Sequence, residues 1–251
     1  MCKTLYIAFF YSLVFILFIN HCVVMAKSEQ DVKTFMTSLE KQHGKTDTLA
    51  VHFDQLKFFS FMDEPIHTKG QMFFAAPGKV RFELLSPYRS LILDDGHVVH
   101  RFEYEKEQWE QVVFGSSSSI KRIMGQMSSW LQGKFASQKN IFNFSVSYDD
   151  PNSYALLILA PQEKRFKKYI ESICIHIGNP PELRIAQIDI HEPGGDYTTM
   201  IFYDERINPE IPEAIFKNPR AEETCRRIFS QGVKTKSTQS ETAGNQQREK
   251  K

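Results

Sequence analysis

FFAAPGKVRFELLSPYRSLILDDG, residues 73–96, is the stretch on which the fold turns. Two apolar runs are separated by Ser86-Pro87, preceded by Pro77-Gly78 and closed by Asp94-Asp95-Gly96. Through Val80, Arg81, Phe82, Glu83 and Leu84 the apolar and charged residues alternate with period two, which is the spacing of a strand presenting opposite faces. Asp-Gly supplies the positive φ of a tight hairpin turn. Connections this short join neighbouring strands only when they run antiparallel.

The same logic extends outward in both directions. Leu49, Val51 and Phe53 alternate with Ala50, His52 and Asp54, and further strands are predicted at 70–75, 79–85, 90–93, 97–104, 108–114, 141–148, 154–160, 168–177, 183–191 and 197–204. Val32, Phe35, Met36 and Leu39 keep helical spacing over 29–42, and Gly44 stops that helix. Ile120, Ile123, Met124, Met127, Trp130 and Leu131 mark a second helix over 117–132. Ten or eleven short strands with two helices predict an antiparallel sheet or partly closed barrel. Pro209 and Pro212 make 208–216 an extended arm, a short helix is expected over 222–229, and the polar residues that follow lack the side chains to enter a core.

Residues 1–26 carry Lys3, an apolar core from Leu5 to Ile19 and a small residue, Ala26, where cleavage of a secretory signal peptide is expected. That core is shorter than the roughly 20 residues of a membrane-spanning helix. His21 before Cys22 argues against lipid attachment, so the mature chain is expected to be soluble. Without Lys3 the chain has 30 basic and 30 acidic residues, a balance that gives nucleic acid no electrostatic hold. Three segments are expected: the signal at 1–26, one domain at 27–220, and a short helix with a disordered polar tail at 221–251. Cys174 and Cys225 survive cleavage, and an oxidising compartment leaves open both a bridge and two separate thiols.

Catalytic chemistry is not legible. Gly115-Ser116-Ser117-Ser118-Ser119 lacks the closing glycine of a nucleophile elbow, and neither a phosphate loop nor a dinucleotide fingerprint occurs. His97 and His100 fall on opposite faces of a strand, and His191-Glu192 has no second histidine, so neither a metal nor a cofactor is expected. The basic run from Lys164 to Lys168 reads as a solvated hairpin turn. What the chain has in quantity is aromatic side chains: 21 Phe, 9 Tyr and 2 Trp, many of them in predicted strands. Such a sheet, covered by amphipathic helices, can shelter something long and apolar.

A strand ending in Pro77, then Lys79-Val80-Arg81-Phe82-Glu83, Pro87-Tyr88 and Leu91-Ile92-Leu93-Asp94-Asp95-Gly96, resembles the LolA family of periplasmic lipoprotein carriers. The likeness also takes in the N-terminal helix and the late hairpin followed by Asn208, Ile211-Pro212 and Phe216. It implies a mainly β fold with an α lid, an incomplete antiparallel barrel covered by helices, and a soluble, monomeric, non-enzymatic periplasmic protein. Such a protein binds acyl chains of lipoproteins, takes them from an inner-membrane release complex, and passes them to an outer-membrane acceptor. Carried across, Val80, Phe82 and Leu84 face the lipid, with Met72, Phe74, Leu91 and Leu93 as further lining, while Arg81 and Glu83 point the other way. Two positions depart from the pattern: Ala76 stands where the familiar carriers have a basic residue that holds the lid, and His100 where many members have Trp. The first favours an alternative, a carrier or accessory for another lipid coupled to an inner-membrane exporter. An envelope-sensing interaction module is the other use of this fold.

Overall fold

A computed structural model describes residues 29–112, 126, 129, 130, 133–135, 138–150 and 154–231. The expected signal peptide, the tail from 232 onward, and all of the 117–132 helix except Gln126, Ser129 and Trp130 lie outside the described residues.

Helix α1 (Glu29–His43) turns Phe35, Met36 and Leu39 onto one buried stripe and ends at Gly44, whose amide donates to the Glu40 carbonyl at 2.8 Å. Eleven strands follow: β1 (Thr48–Phe58), β2 (Ile66–Ala75), β3 (Lys79–Ser86), β4 (Ser90–Asp94), β5 (Val99–Glu105), β6 (Gln108–Val112), β7 (Phe142–Ser147), β8 (Ala155–Pro161), β9 (Ser172–Ile177), β10 (Ile185–His191) and β11 (Tyr197–Ile207). They form one antiparallel sheet in the order β6-β5-β4-β3-β2-β1-β11-β10-β9-β8-β7. Two meanders are thus joined where β1 meets β11, and the edge strands β6 and β7 do not pair with each other. The fold is mainly β and the sheet stays open.

Between β8 and β9 the basic run does not form a hairpin turn. Lys164–Lys167 make a single helical turn, α2, which carries Phe166 into the core at 7% exposure, and β9 starts only at Ser172. The reason is apolar burial: one aromatic among four cations outweighs the preference of the run for water.

Both faces of the sheet are covered. On the inner face α1 packs over Leu157, Ile175 and Ile188 of β8, β9 and β10. On the outer face the chain after β11 forms a 3-10 turn (Glu213–Phe216) and helix α3 (Glu222–Ser230), which bury Ile215, Phe216, Cys225 and Ile228 against Ala50 and Phe73. The terminal helix therefore packs on the sheet. Both cysteines are free, Cys174 half-buried on β9 and Cys225 buried in α3, where desolvation pushes its thiol up to about 12.

Arg81 holds the outer layer. Its side chain is fully buried, and its five N–H donors are all used. Nε and Nη2 donate to Glu83 Oε2 at 2.9 and 2.8 Å, Nη1 to the carbonyls of Ile215 and Asn218 at 3.2 and 2.9 Å, and Nη2 also to that of Pro219 at 3.1 Å. Gln71 donates to the same Glu83 oxygen at 3.0 Å, and Arg89 bridges Glu83 and Glu222 at 3.5 and 3.0 Å. Removing one member of such a group strands a buried charge, at about 3–5 kcal/mol. Arg81→Ala should lower the unfolding free energy in urea by that amount, and Arg81→Lys, with three donors for five positions, should fall between. A change in midpoint no larger than that of an exposed lysine variant would mean that the guanidinium does not anchor the C-terminal segment.

Candidate functional site

The inner face of the β1–β4 half is an apolar wall. Strand register sets Met72 opposite Phe82 and Val51, and Phe74 opposite Val80 and Leu49, so side chains of three strands share one surface. Phe202 of β11 lies opposite Phe53, and Met200 packs beside them. The Phe53 and Phe82 rings stack with centroids 4.8 Å apart, an arrangement that Gly70 permits: a Cβ there would sit 2.1 Å from Phe53 Cζ. Phe82 and Leu84 are only partly buried, and they leave the wall accessible at its edge.

Five of the seven predicted lining residues stand on this wall: Met72, Phe74, Val80, Phe82 and Leu84. Leu91 and Leu93 do not. Leu91 pairs with Glu83 and Leu93 with Arg81, so both lie on the outer face, and Ile92, opposite Phe82, is the wall residue of β4. The run Leu91-Ile92-Leu93 is apolar throughout because β4 is buried on both sides, and periodicity cannot then tell one face from the other. Arg81 and Glu83 do turn away from the wall, but into a second buried layer. Ala76 is exposed in the turn between β2 and β3, its amide donating to the Asp47 carbonyl at 2.8 Å. His100 opposes Leu93 on the outer face, 3.1 Å from Gln111.

Where the wall meets α1 it closes over a cavity lined mainly by Leu49, Val51, Met72, Ile188, Phe202 and Trp130, with His43, Thr46 and Glu205 as its polar members. The cavity holds about 30 Å³. An apolar cavity that admits benzene measures about 150 Å³, so this one has room for water-sized occupants only.

Burial sets the electrostatics of the polar end. It lowers the His43 pKa from the ordinary imidazole value, an effect opposed by the Leu183 carbonyl, which accepts from Nε2 at 2.9 Å. It raises the Glu205 carboxyl above its ordinary value, an effect that Arg184, with Nε 3.2 Å from Oε2, opposes. The protonated carboxyl is thus the form the fold favours, and stability is lost as pH rises from the ordinary glutamate range through the folded pKa. Glu205→Gln should raise the unfolding free energy by on the order of 1 kcal/mol at pH 8 and by much less at pH 4, where the carboxyl is protonated in both states. Equal gains at the two pH values in denaturant melts would mean that charge burial is not the cause.

Among the described residues no helix is long and apolar enough to cross a membrane, and no group of three or more His, Cys, Asp or Glu is placed to hold a metal ion. Among curated proteins none matches this sequence. The family described as outer membrane lipoprotein carrier protein LolA matches residues 44–219. Solved structures similar to this chain include the Mycobacterium tuberculosis lipoprotein LppX, 8% identical with a TM-score of 0.46 over 73% of this chain and 99% of that one. A LolA superfamily protein from Nitrosomonas europaea is 10% identical, with a TM-score of 0.40 over 74% and 96%. LprF from Mycobacterium bovis is 10% identical, with a TM-score of 0.42 over 73% and 97%. The chain belongs to the LolA family, a family of carriers rather than enzymes.

Proposed function

We propose that this LolA-family chain is a soluble periplasmic carrier that shelters the acyl chains of lipoproteins and moves them from the inner to the outer membrane. The observation that supports this reading is the wall itself: Met72, Phe74, Val80, Phe82 and Leu84, extended by Leu49, Val51 and Phe53, form one apolar surface with a helix laid beside it. Passage of an acyl chain through water costs about 0.8 kcal/mol per exposed methylene, which a wall of this kind offsets.

An acyl chain that runs from the wall onto the rest of the inner face displaces α1, so burial of lipid replaces burial of Phe35, Met36 and Leu39, each worth about 1.5–3 kcal/mol. The exchange keeps net affinity moderate, and cargo can leave for an acceptor with a stronger hold. Export by the signal at 1–26, loading by an inner-membrane release complex and unloading to an outer-membrane acceptor complete the cycle. A second reading, carriage of a different envelope lipid, is favoured by Ala76: its exposed methyl cannot make the hydrogen bonds through which a basic residue there secures the lid.

Mass spectrometry of the protein isolated from the periplasm, after crosslinking, should find acylated proteins bound to it. Free lipids alone would favour the second reading, and the absence of any acylated species would overturn both. Phe82→Glu should reduce acyl binding at least about tenfold while the far-exposed Tyr88→Ser leaves it unchanged; equal loss in both would place the lipid elsewhere.

A further inference from the structure

Strand β11 breaks its alternation once, and the break aims a carboxyl into the apolar cavity. Met200 and Phe202 face inward, and unbroken alternation would bring Asp204 in and send Glu205 out. Instead Asp204 adopts φ +53°, and the pairing with β1 slips so that Tyr203 opposes His52 while Arg206 opposes Ala50. Tyr203 and Arg206 thereby both lie on the outer side, and Glu205 and Ile207 come inward to line the cavity. A left-handed conformation at an L residue is energetically unfavourable, and bulges of this kind re-aim side chains. The strain here goes to placing an acid where an apolar residue would pack better.

That carboxyl has Arg184 as its ion-pair partner, but its buried oxygen lacks a hydrogen-bond donor among the described residues. Glu205 Oε2 is buried and receives no hydrogen bond; Arg184 Nε, 3.2 Å away, is out of line for one, and the Arg184 side chain is 52% exposed. The other polar lining groups are Thr46, in the link between α1 and β1, and His43, whose Nε2 is engaged with Leu183. The cavity is therefore lined mainly by apolar side chains, with one buried carboxyl oxygen that receives no hydrogen bond.

On the reading of this cavity as an acyl site, we propose that Glu205 contacts the head of the cargo and selects chains whose attachment point donates a hydrogen bond, such as an N-acyl amide or a hydroxyl. It rejects chains that end in an anion, a free fatty acid or a phosphate. Once Glu205 is ionised, as the test at pH 8 requires, the amide or hydroxyl supplies the missing donor, whereas an anion would meet a like charge at short range in a medium of low dielectric. Phospholipids and free fatty acids, which share the acyl chain but carry negative heads, are thereby kept from occupying the carrier.

Calorimetric titration of the purified protein at pH 8 with N-palmitoyl glycinamide, hexadecanol and palmitate tests this. The amide and the alcohol should bind at least about tenfold more tightly than palmitate, the worth of a hydrogen bond to a charged group. Glu205→Gln should bring the three within about threefold of one another, chiefly by tightening palmitate. Preference for the amide over the alcohol would point to the N-acyl group of a lipoprotein as the donor, and parity between them to any donor beside the chain; both support the assignment. Equal binding of all three probes by the wild type, or a preference that survives in Glu205→Gln, overturns it while leaving the acyl carrier intact. Binding of none of the three overturns the carrier reading and this inference with it.

Discussion

The rest of the molecule depends on one buried guanidinium. Arg81 sits between two wall residues, Val80 and Phe82, on a strand whose period-two alternation sends it to the opposite face. There it finds Glu83 and three carbonyls of the chain between Ile215 and Pro219, and in holding them it draws the C-terminal segment over the sheet as a second layer. A buried ion pair is weak evidence of net stability, but here it sets register. Slipping β3 by one residue would push a guanidinium and a carboxylate into the apolar wall and lift Val80 and Phe82 off it.

That register allows an apolar surface to exist inside a folded protein without collapsing. The outer face is closed by α3 and the 3-10 turn, so the β1–β4 half is rigid from behind. In front, α1 packs mainly over the β8–β10 half, and only a small cavity separates it from the wall. The sheet is open between β6 and β7, and the two meanders are connected by the single seam of β1 with β11. A helix resting on an open sheet can be exchanged for a ligand of similar apolar area, which a closed barrel would not permit. Glu205 lies at this seam, and its bulge belongs to the same pairing that joins the halves.

Much of the fold was legible because strands and turns write locally. Pro77-Gly78, Asp94-Asp95-Gly96 and Pro193-Gly194-Gly195 separate strands that form close to where the alternation places them, and α1 follows its spacing to within a residue. Legibility stopped where local preference met tertiary burial. The Lys164–Lys167 turn exists because Phe166 has a pocket to fill, and β11 continues through Asp204 because Glu205 and Ile207 find the inner face beyond it. Leu91 and Leu93 could not be assigned a side, since a strand buried on both faces has no polar residue to mark either. Ile92 and Phe202 join the wall through register with neighbouring strands, and no spacing within their own strands announced it.

By itself, then, the sequence determined the antiparallel β class and the order of its elements, because turn chemistry and alternation act over a few neighbours, while the wall residues on β2 and β3 were named from the family resemblance. Only the tertiary structure decided which face of β4 joins the wall, that Cys174 and Cys225 remain apart, and that Arg81 is fully enclosed rather than solvated. It alone brought Glu205 inward. Those outcomes depend on what packs against each face from elsewhere in the chain, and burial by a distant segment leaves no local mark on the residues it covers.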